Sequence, residues 1–517
     1  MYKLGIDVGG TNTDAVLIDE KLNVVASVKQ HTSSNIYDGI LDALRAVLTL
    51  SGVDRSEIGQ AMLGTTQCTN AIVERKNLAP IGIMRIGAPA TLGIPLMVDW
   101  ADDLKKIAVK TAIIGGGFEY DGKELAPFDT AAATAFFEEL KAENIKSVAI
   151  SCVFSTVRND HEIEAAKLCK EIMGEDVHVS ISSEIGSMGL IERENATILN
   201  AALYKVAESF TEGFAKSLAE EGVTNAQVYL SQNDGTLMTM EYARRYPILT
   251  IACGPTNSIR GASYLSQLKN AIVIDVGGTT TDLGVIHNGF PRESGIAVTI
   301  GGVRTNFRMP DVVSIGLGGG SIVRQKDDGT VTVGPDSVGY QITEKALCFG
   351  GDVCTATDIA VRLGMTDIGD KALVAGIDEA FAMKAMDAIR TLCEDSIDAM
   401  KVSSDDVDVI LVGGGSIVLP ENLAGAKSVT KHEHGGVANA IGSAISKVSG
   451  TYEQLIDYNE IPRDEALAKA RAEAVELAVA AGAIRETVEI IDAEDVPLQY
   501  YPGNTARVKI KAAGDLA

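Results

Sequence analysis

Short β-branched apolar runs, separated by glycine or polar turns, open the chain: residues 4–8, 15–19 and 24–28 read as three antiparallel strands. The period then turns helical over residues 37–50, with Ile40, Leu41, Leu44, Val47 and Leu48 on one face. Residues 61–76 read as a short strand, a turn with paired threonines and a helix carrying Thr66, Thr69 and Asn70. Residues 86–129, rich in glycine and proline and holding the only tryptophan, Trp100, break the pattern and read as an insertion. Helices over 131–143 and 159–173 then alternate with strands over 147–154 and 177–182, and a helical stretch over 191–221 leads to a strand ending in S-Q-N-D-G, 231–235. The opening pattern returns with strands at 272–275, 283–286 and 295–299. A helix over 380–400 precedes an apolar strand that empties into G-G-G-S, 413–416. From about residue 452 to 484 the composition is helical and rich in Ala, Glu and Arg, and a β-rich end follows over 488–510; this tail reads as an appendage to the second lobe. Alternating strands and helices predict an α/β protein. Its regions divide at 1–182, 188–450, with the second lobe proper from about 270, and 451–517.

One stretch is duplicated. I-D-V-G-G-T-N-T-D, residues 6–14, returns as I-D-V-G-G-T-T-T-D, residues 274–282, and only Asn12 against Thr280 breaks the match. Each copy sits between two apolar runs, so two equivalent β-hairpins in two equivalent lobes are expected. Paired glycines let backbone amides approach a ligand closely, and the Thr and Asn that follow add neutral donors. Such a turn can cradle phosphate. The strand-end carboxylate, Asp7 or Asp275, cannot face phosphate alone, but it can hold a hydrated Mg²⁺ that bridges to phosphate oxygens. A single such turn would pass for an ordinary hairpin; duplication favours metal–nucleotide chemistry.

Composition narrows this little. With 517 residues, 46% apolar and 22% charged, the chain fits two to four globular domains. A net charge of −25 without a basic run excludes a nucleic-acid partner, while glycine-loop amides and Mg²⁺ still supply local positive potential for phosphate. No run of 18 apolar residues and no basic-then-apolar leader is present, which predicts a cytoplasmic protein without a membrane partner. Seven scattered cysteines without a C-x-x-C pair read as reduced thiols. Cys348 and Cys354 alone fall short of the four ligands of a zinc site.

The two D-x-G-G-T hairpins and the later G-G-G-S turn together resemble the actin, heat-shock-chaperone and sugar-kinase superfamily, in which two ribonuclease-H-like lobes clamp ATP. The match narrows to the A-type subunit of the hydantoinase/oxoprolinase family. It is carried by G-T-T-Q-C-T-N-A-I-V-E-R-K from Gly64, E-R-E-N-A-T-I-L-N-A-A-L from Glu192, S-Q-N-D-G, C-G-P from Cys253, G-L-G-G-G-S-I, G-P-D-S-V-G, T-A-T-D and H-x-x-V-A-N-A-I-G from His434. The chain departs from the family where Leu63 precedes G-T-T in place of histidine, and in the short I-T-E-K-A-L-C-F-G segment.

The resemblance implies an α/β, actin-like ATPase fold with a small C-terminal appendage, ATP and Mg²⁺ as cofactors, and a cyclic amide or carbonyl compound as substrate. The carbonyl oxygen is phosphorylated and the ring then opened. It also implies an oligomer and a separate B-type subunit. A related carboxylase subunit and an ATPase working as a conformational switch or activase are the alternatives.

On this reading Asp7 and Asp275 hold Mg²⁺ or position the nucleophile, and Gly9, Gly10, Thr11, Asn12 and Thr13 with Gly277, Gly278, Thr279, Thr280 and Thr281 bind the phosphates. Gly413, Gly414, Gly415 and Ser416 border the adenosine. Thr65, Thr66 and Asn70 stand on the substrate side, or else serve as helix caps. Asp14 and Asp282 do the same job in each lobe, as partners of metal or threonine or as anchors of the turn. Glu192, Arg193 and Glu194 read as a solvated helix end. His432 and His434 read as a solvated loop, or as a metal pair short of ligands.

Overall fold

A computed structural model describes residues 1–10, 12–31, 36–294, 297–307, 309–498 and 503–516. Alternation in the first apolar run produces β1 (Tyr2–Val8), with Leu4, Ile6 and Val8 fully buried on one face and Gly5 and Asp7 on the other. β2 (Asn12–Ile18) and β3 (Val24–His31) continue antiparallel, and β4 (Ile58–Thr65) lies parallel to β1 on its other edge. The helix Ile36–Ser51 closes this sheet with Ile40, Leu44, Val47 and Leu48, the face that its period predicts.

A separate parallel sheet comes next, from β5 (Ile81–Ala88), β6 (Ala108–Gly115), β7 (Ser147–Cys152) and β8 (His178–Ile181), in the order β6-β5-β7-β8. The insertion therefore spans residues 81–181 and not 86–129. Parallel strands need crossovers, and Thr130–Ala142 and Asp160–Met173 are those crossovers, so the alternation read after residue 130 belongs to the inserted unit. A buried ion pair fastens it to the helix Leu190–Ala202: Arg85 Nη2 lies 2.5 Å from Glu194 Oε1 and Nε 2.7 Å from Oε2, with Ser151 Oγ on the same carboxylate. Arg193 and Glu194 are thus core residues, not the solvated helix end that their charge suggested.

The chain returns to the first sheet as β9 (Gln227–Ser231), parallel to β4, and turns back as β10 (Thr236–Thr239). The second lobe repeats the plan with β11 (Ala271–Val276) and β12 (Thr281–His287), whose edge β13 (Phe290–Pro291) extends. β14 (Val298–Ile300) and β15 (Val303–Thr305) form a ribbon of their own. The third meander strand is β16 (Val312–Ile315), not the expected 295–299, of which 295–296 lie outside the described residues. A second ribbon, β17 (Ser321–Gln325) with β18 (Val331–Ser337), precedes the parallel strands β19 (Val407–Val412) and β20 (Ala426–Lys431). Both lobes order their strands third, second, first, fourth, fifth: β3-β2-β1-β4-β9 and β16-β12-β11-β19-β20. This is the duplication that the repeat predicted, in the ribonuclease-H-like form that the resemblance implies.

The tail departs from its expected place. β21 (Lys447–Asp457), β22 (Glu489–Pro497) and β23 (Thr505–Gly514) extend the sheet of the first lobe, where β21 lies parallel to β10. Residues 452–457 are strand, and helix is confined to Arg463–Ala480. Its alanines 466, 470, 474 and 478 make a buried stripe one residue type wide, with Gly450 leaving no room for a Cβ against Ala478. Two helices join the lobes, Cys253–Ser266 into β11 and Ala438–Ile445 back towards β21. They cross backbone to backbone, because Gly261 faces the carbonyl of Ala438 and Gly442 that of Asn257, where no side chain fits.

Candidate active site

The two repeats face each other across a cleft of about 700 Å³ between the lobes. From the predicted set it is lined by Asp7, Gly9, Gly10 and Asn12, by Asp275, Gly277, Gly278, Thr279 and Thr280, by Gly413, Gly414 and Gly415, and by Thr66. Thr13 and Thr281 lie buried in β2 and β12, and Thr281 Oγ1 donates to the Leu317 carbonyl at 2.7 Å. Alternation explains this: they point opposite to the residues that face the cleft. Ser416 stands behind the glycines with its amide on the Gly413 carbonyl at 3.2 Å. Thr65 is buried and accepts the Gln67 amide, while Asn70 donates to Thr66 Oγ1 at 3.3 Å and so supports Thr66 from behind. These residues do not line the cleft, and Thr11 lies outside the described residues.

Both hairpins close alike, Gly9 N to Asn12 O at 2.9 Å and Gly277 N to Thr280 O at 2.8 Å. Neither glycine pair uses the left-handed region; their value is absence of bulk, since a Cβ on Gly10 or Gly278 would meet no described atom within 4 Å. Gly413 is different. Its φ is +84°, and a Cβ there would run into Asp275 Oδ1. Gly64 makes the same room for Asp7 Oδ1 in the first lobe. Each carboxylate therefore stands over a glycine at the end of the neighbouring parallel strand.

The carboxylates are held by the two crossing helices. Asn257 Nδ2 donates to Asp7 Oδ1 at 3.0 Å, Asn439 Nδ2 donates to Asp7 Oδ2 at 3.0 Å and to Asp14 Oδ2 at 2.9 Å, and Ser258 Oγ donates to Asp275 Oδ2. Burial pushes Asp7 up to about 6, helped by the charges of Asp14 and Asp275 and opposed by the two asparagines. Desolvation also raises Asp282 to about 6, and Asp275 and Asp14 rise for the same reason. Lys29 counters in part, with Nζ 2.6 Å from Asp14 Oδ1. Lys29, Asn257, Ser258 and Asn439 are absent from the residues chosen by sequence. Asn439 carries a legible signal, as a lone amide in a helix otherwise built of small or apolar residues.

Asp14 and Asp282 both line the cleft, but their partners differ: Lys29 and Asn439 for one, Ser314 for the other. Part of the lining is apolar, with Ile342, Phe349, Ile368 and Ile417, and Ile342 lies beside Gly319 and Thr357. His432 is exposed and His434 half-buried on a turn, where His432 Nδ1 accepts the His434 amide. Cys348 is buried, and desolvation pushes its thiol up to about 12. Among the described residues no three His, Cys, Asp or Glu side chains are grouped to hold a metal ion.

Two family profiles match, the hydantoinase/oxoprolinase N-terminal region over residues 3–173 and hydantoinase/oxoprolinase over residues 193–407. This chain belongs to the hydantoinase/oxoprolinase family. Within the family it is similar to the caprolactamase subunit alpha of Pseudomonas jessenii, 28% identical over 411 residues, which are 75% of this chain and 58% of that one. It is also similar to the acetone carboxylase beta subunit of Xanthobacter autotrophicus, 24% identical over 429 residues, 76% of this chain and 58% of that one. The chain thus spans less than two thirds of either relative. The crystal structure of ATP-dependent caprolactamase from Pseudomonas jessenii superposes over 99% of this chain and 88% of its own, with a TM-score of 0.78 at 20% identity, so the fold is shared. The two relatives are subunits by name.

The donor set suits Mg²⁺. Four carboxylates crowd a cleft whose lining, among the described residues, offers one cation, and a divalent ion would relieve that excess. Mg²⁺ is commonly held by one or two carboxylates while keeping water or phosphate oxygens as its other ligands, so a site short of three grouped protein ligands fits it. No helix of the described residues is long and apolar enough to cross a membrane.

Proposed function

We propose that this chain is the ATP-using part of an enzyme that opens a cyclic amide, such as a hydantoin, 5-oxoproline or another lactam, by phosphorylating its carbonyl oxygen. One observation carries the reading: two carboxylates from duplicated glycine hairpins stand on facing walls of one cleft, each clamped by a helix that joins the lobes. Similarity to a caprolactamase subunit gives the substrate class.

An unstrained lactam resists water because resonance stiffens and deactivates its C–N bond. In the proposed reaction the turns at Gly10 and Gly278 present backbone amides to the phosphates, while Gly9 N and Gly277 N close the hairpins behind them. Asp275 would hold Mg²⁺, which offsets phosphate charge when bound, and Asp7 is left free of the metal. Asp7, raised to about 6, is tuned near neutrality, where a general base works best. It takes the amide N–H proton as the carbonyl oxygen bonds to the terminal phosphorus and ADP leaves. Water adds to the activated carbon, the C–N bond breaks with nitrogen keeping two protons, and the acyl phosphate is hydrolysed to carboxylate and phosphate. The walls serve to align these groups. The apolar part of the lining, with Ile342, Phe349 and Ile368, suits a purine ring.

A carboxylase reading has support in the acetone carboxylase beta subunit, matched over the same share of its length. One assay separates the two: ADP release by the chain, alone and with a B-type protein, over hydantoin, 5-oxoproline, caprolactam and acetone with bicarbonate. Stimulation by a cyclic amide is the expected result, and lack of response to every cyclic amide would sink the proposal. Asp7→Ala and Asp275→Ala should each abolish turnover while the far-ultraviolet circular dichroism stays unchanged.

A further inference from the structure

The repeats match almost residue for residue, but their neighbours in the sheet do not. Asp14 pairs across β2 and β3 with Lys29, and Asp282 pairs across β12 and β16 with Ser314, so residues 29 and 314 occupy equivalent positions in the two lobes. Lys29 reaches Asp14 Oδ1 at 2.6 Å and Oδ2 at 2.7 Å, and keeps about a third of its side chain exposed to the cleft (35%). It spans the opening, since a Cβ on Gly414 of the second lobe would lie 4.0 Å from Lys29 Cε. Its charge also lowers Asp275 on the far wall. Lys29 is the one cationic side chain among the described residues that line the cleft.

An ammonium group has three donors and no acceptor. Asp14 occupies Lys29 on one side only, and Asn439 Nδ2 fixes that carboxylate at 2.9 Å. The Lys29 hydrogen bond goes to Asp14 Oδ2 at 2.7 Å, and the exposed part of the side chain lines the space that the glycine turns enclose. A nucleotide triphosphate brings several negative charges into a cleft already lined by four carboxylates, and backbone amides offer only partial charges against them.

Resting on the ATP-using role proposed above, we infer that Lys29 binds the terminal phosphoryl group of the nucleotide and that Asp14 is the anchor that aims it. The two lobes then divide the work. The second-lobe hairpin, with serine in place of lysine, pairs Asp282 with a neutral hydroxyl, whereas the first lobe supplies a cation from the protein itself. Removing Lys29 would weaken nucleotides in proportion to their terminal phosphates and leave adenosine alone.

Titration calorimetry of Mg·ATP, Mg·ADP and adenosine with the wild-type chain, Lys29→Met and the double variant Lys29→Met/Asp14→Asn tests this. A hydrogen bond to a charged group is worth enough for a loss of about 10- to 100-fold in Mg·ATP affinity in Lys29→Met, with adenosine unchanged. The double variant removes the stranded buried charge, so it melts like the wild type and still binds Mg·ATP weakly. Recovery of wild-type Mg·ATP affinity in the double variant would show that Lys29 merely neutralises Asp14, and would overturn the inference, as would undiminished binding by Lys29→Met. If the wild-type chain itself binds no Mg·ATP, the ATP-using role falls and this inference with it.

Discussion

The first-lobe and second-lobe hairpins carry nearly the same nine residues and close with nearly the same hydrogen bonds, but they are braced and charged differently. In the second lobe Gly415 N bonds the Val276 carbonyl at 2.8 Å, while Gly319 N and Gly320 N take the carbonyls of Gly277 and Gly278 at 3.0 and 2.8 Å. Glycine loops thus grip three successive carbonyls of that turn. In the first lobe Thr66 grips the Val8 carbonyl through its amide at 3.2 Å and its hydroxyl at 3.3 Å, and the charged pair of Asp14 with Lys29 braces the wall. Identical sequence fixes a turn's path; it does not fix the field that the turn works in. That field comes from the third strand, whose register brings lysine to one side and serine to the other.

The comparison is broken most severely at the glycines under the two carboxylates. Gly64→Ala and Gly413→Ala would each push a catalytic-site aspartate aside, and displacement on the ångström scale can cost about 100-fold in rate. Gly413→Ala should be the worse, because Gly413 also sits at φ +84° and the substitution strains the backbone. Turnover of Mg·ATP with the activating cyclic amide, measured beside the melting temperature of each variant, checks both halves. Equal melting of the two variants would contradict the stated asymmetry.

Next in size is the pH response. Asp7 is raised from an ordinary 3.8 to about 6, so it binds its proton more tightly folded than unfolded. Stability from this group is full below the unfolded value and is lost as pH rises through about 6, a difference of about 3 kcal/mol if the whole shift is expressed. The nucleotide-free protein should therefore resist urea better at pH 5 than at pH 8, and Asp7→Asn should remove much of that slope by stabilising the protein at pH 8. Asp282→Asn acts in the same direction with a smaller effect, since its carboxylate stands closer to solvent. Asp14→Asn does not stabilise, because it breaks the pair with Lys29. Urea midpoints of the three variants at both pH values would refute the comparison if Asp14→Asn behaved like Asp282→Asn.

Much of this was legible in the chain. Duplication located both hairpins, and the opening apolar runs located the strands on either side of the first turn. What escaped depended on pairing between distant segments. Lys29 looks like an ordinary polar strand residue until register sets it opposite Asp14, and Asn257 and Asn439 matter only because two helices cross over the strand ends. Tail placement failed for the same reason: residues 447–457 follow the second lobe in sequence but join β10 of the first through a parallel edge that local pattern cannot reveal. The acid-rich segment at 192–194 misled because charge normally signals solvent, whereas Glu194 is buried with Arg85.

The tail lengthens the first-lobe sheet and packs a helix on the added strands. Ala474 is fully buried where the helix Arg463–Ala480 meets the sheet, so Ala474→Leu overpacks a contact that tolerates no extra carbon. A loss of about 1–3 kcal/mol is expected. Nucleotide affinity should be unchanged, because no residue of this helix lines the cleft. A parallel fall in Mg·ATP affinity would mean that the tail and the cleft are mechanically one body, and the added strands could no longer be separated from the rest of the first lobe.

The smallest expected effect bears most directly on the two hairpins. Ser314 is exposed on β16 opposite Asp282, and Ser314→Lys would give the second lobe the partner that Lys29 gives the first. A cross-strand opposite charge is worth roughly 0.2–1 kcal/mol, and salt weakens it. Asp282 would lose part of its upward shift, so stability at pH 8 should rise slightly at low salt and the gain should shrink as salt is added. The serine hydroxyl that now donates to Asp282 is lost in exchange, which limits the gain and makes the salt dependence the decisive reading. If lobe identity resides in this third-strand position, the Ser314→Lys chain titrates with a shallower slope between pH 5 and pH 8. An unchanged slope would show that the surrounding glycine loops, and not the facing side chain, set the field at the second hairpin.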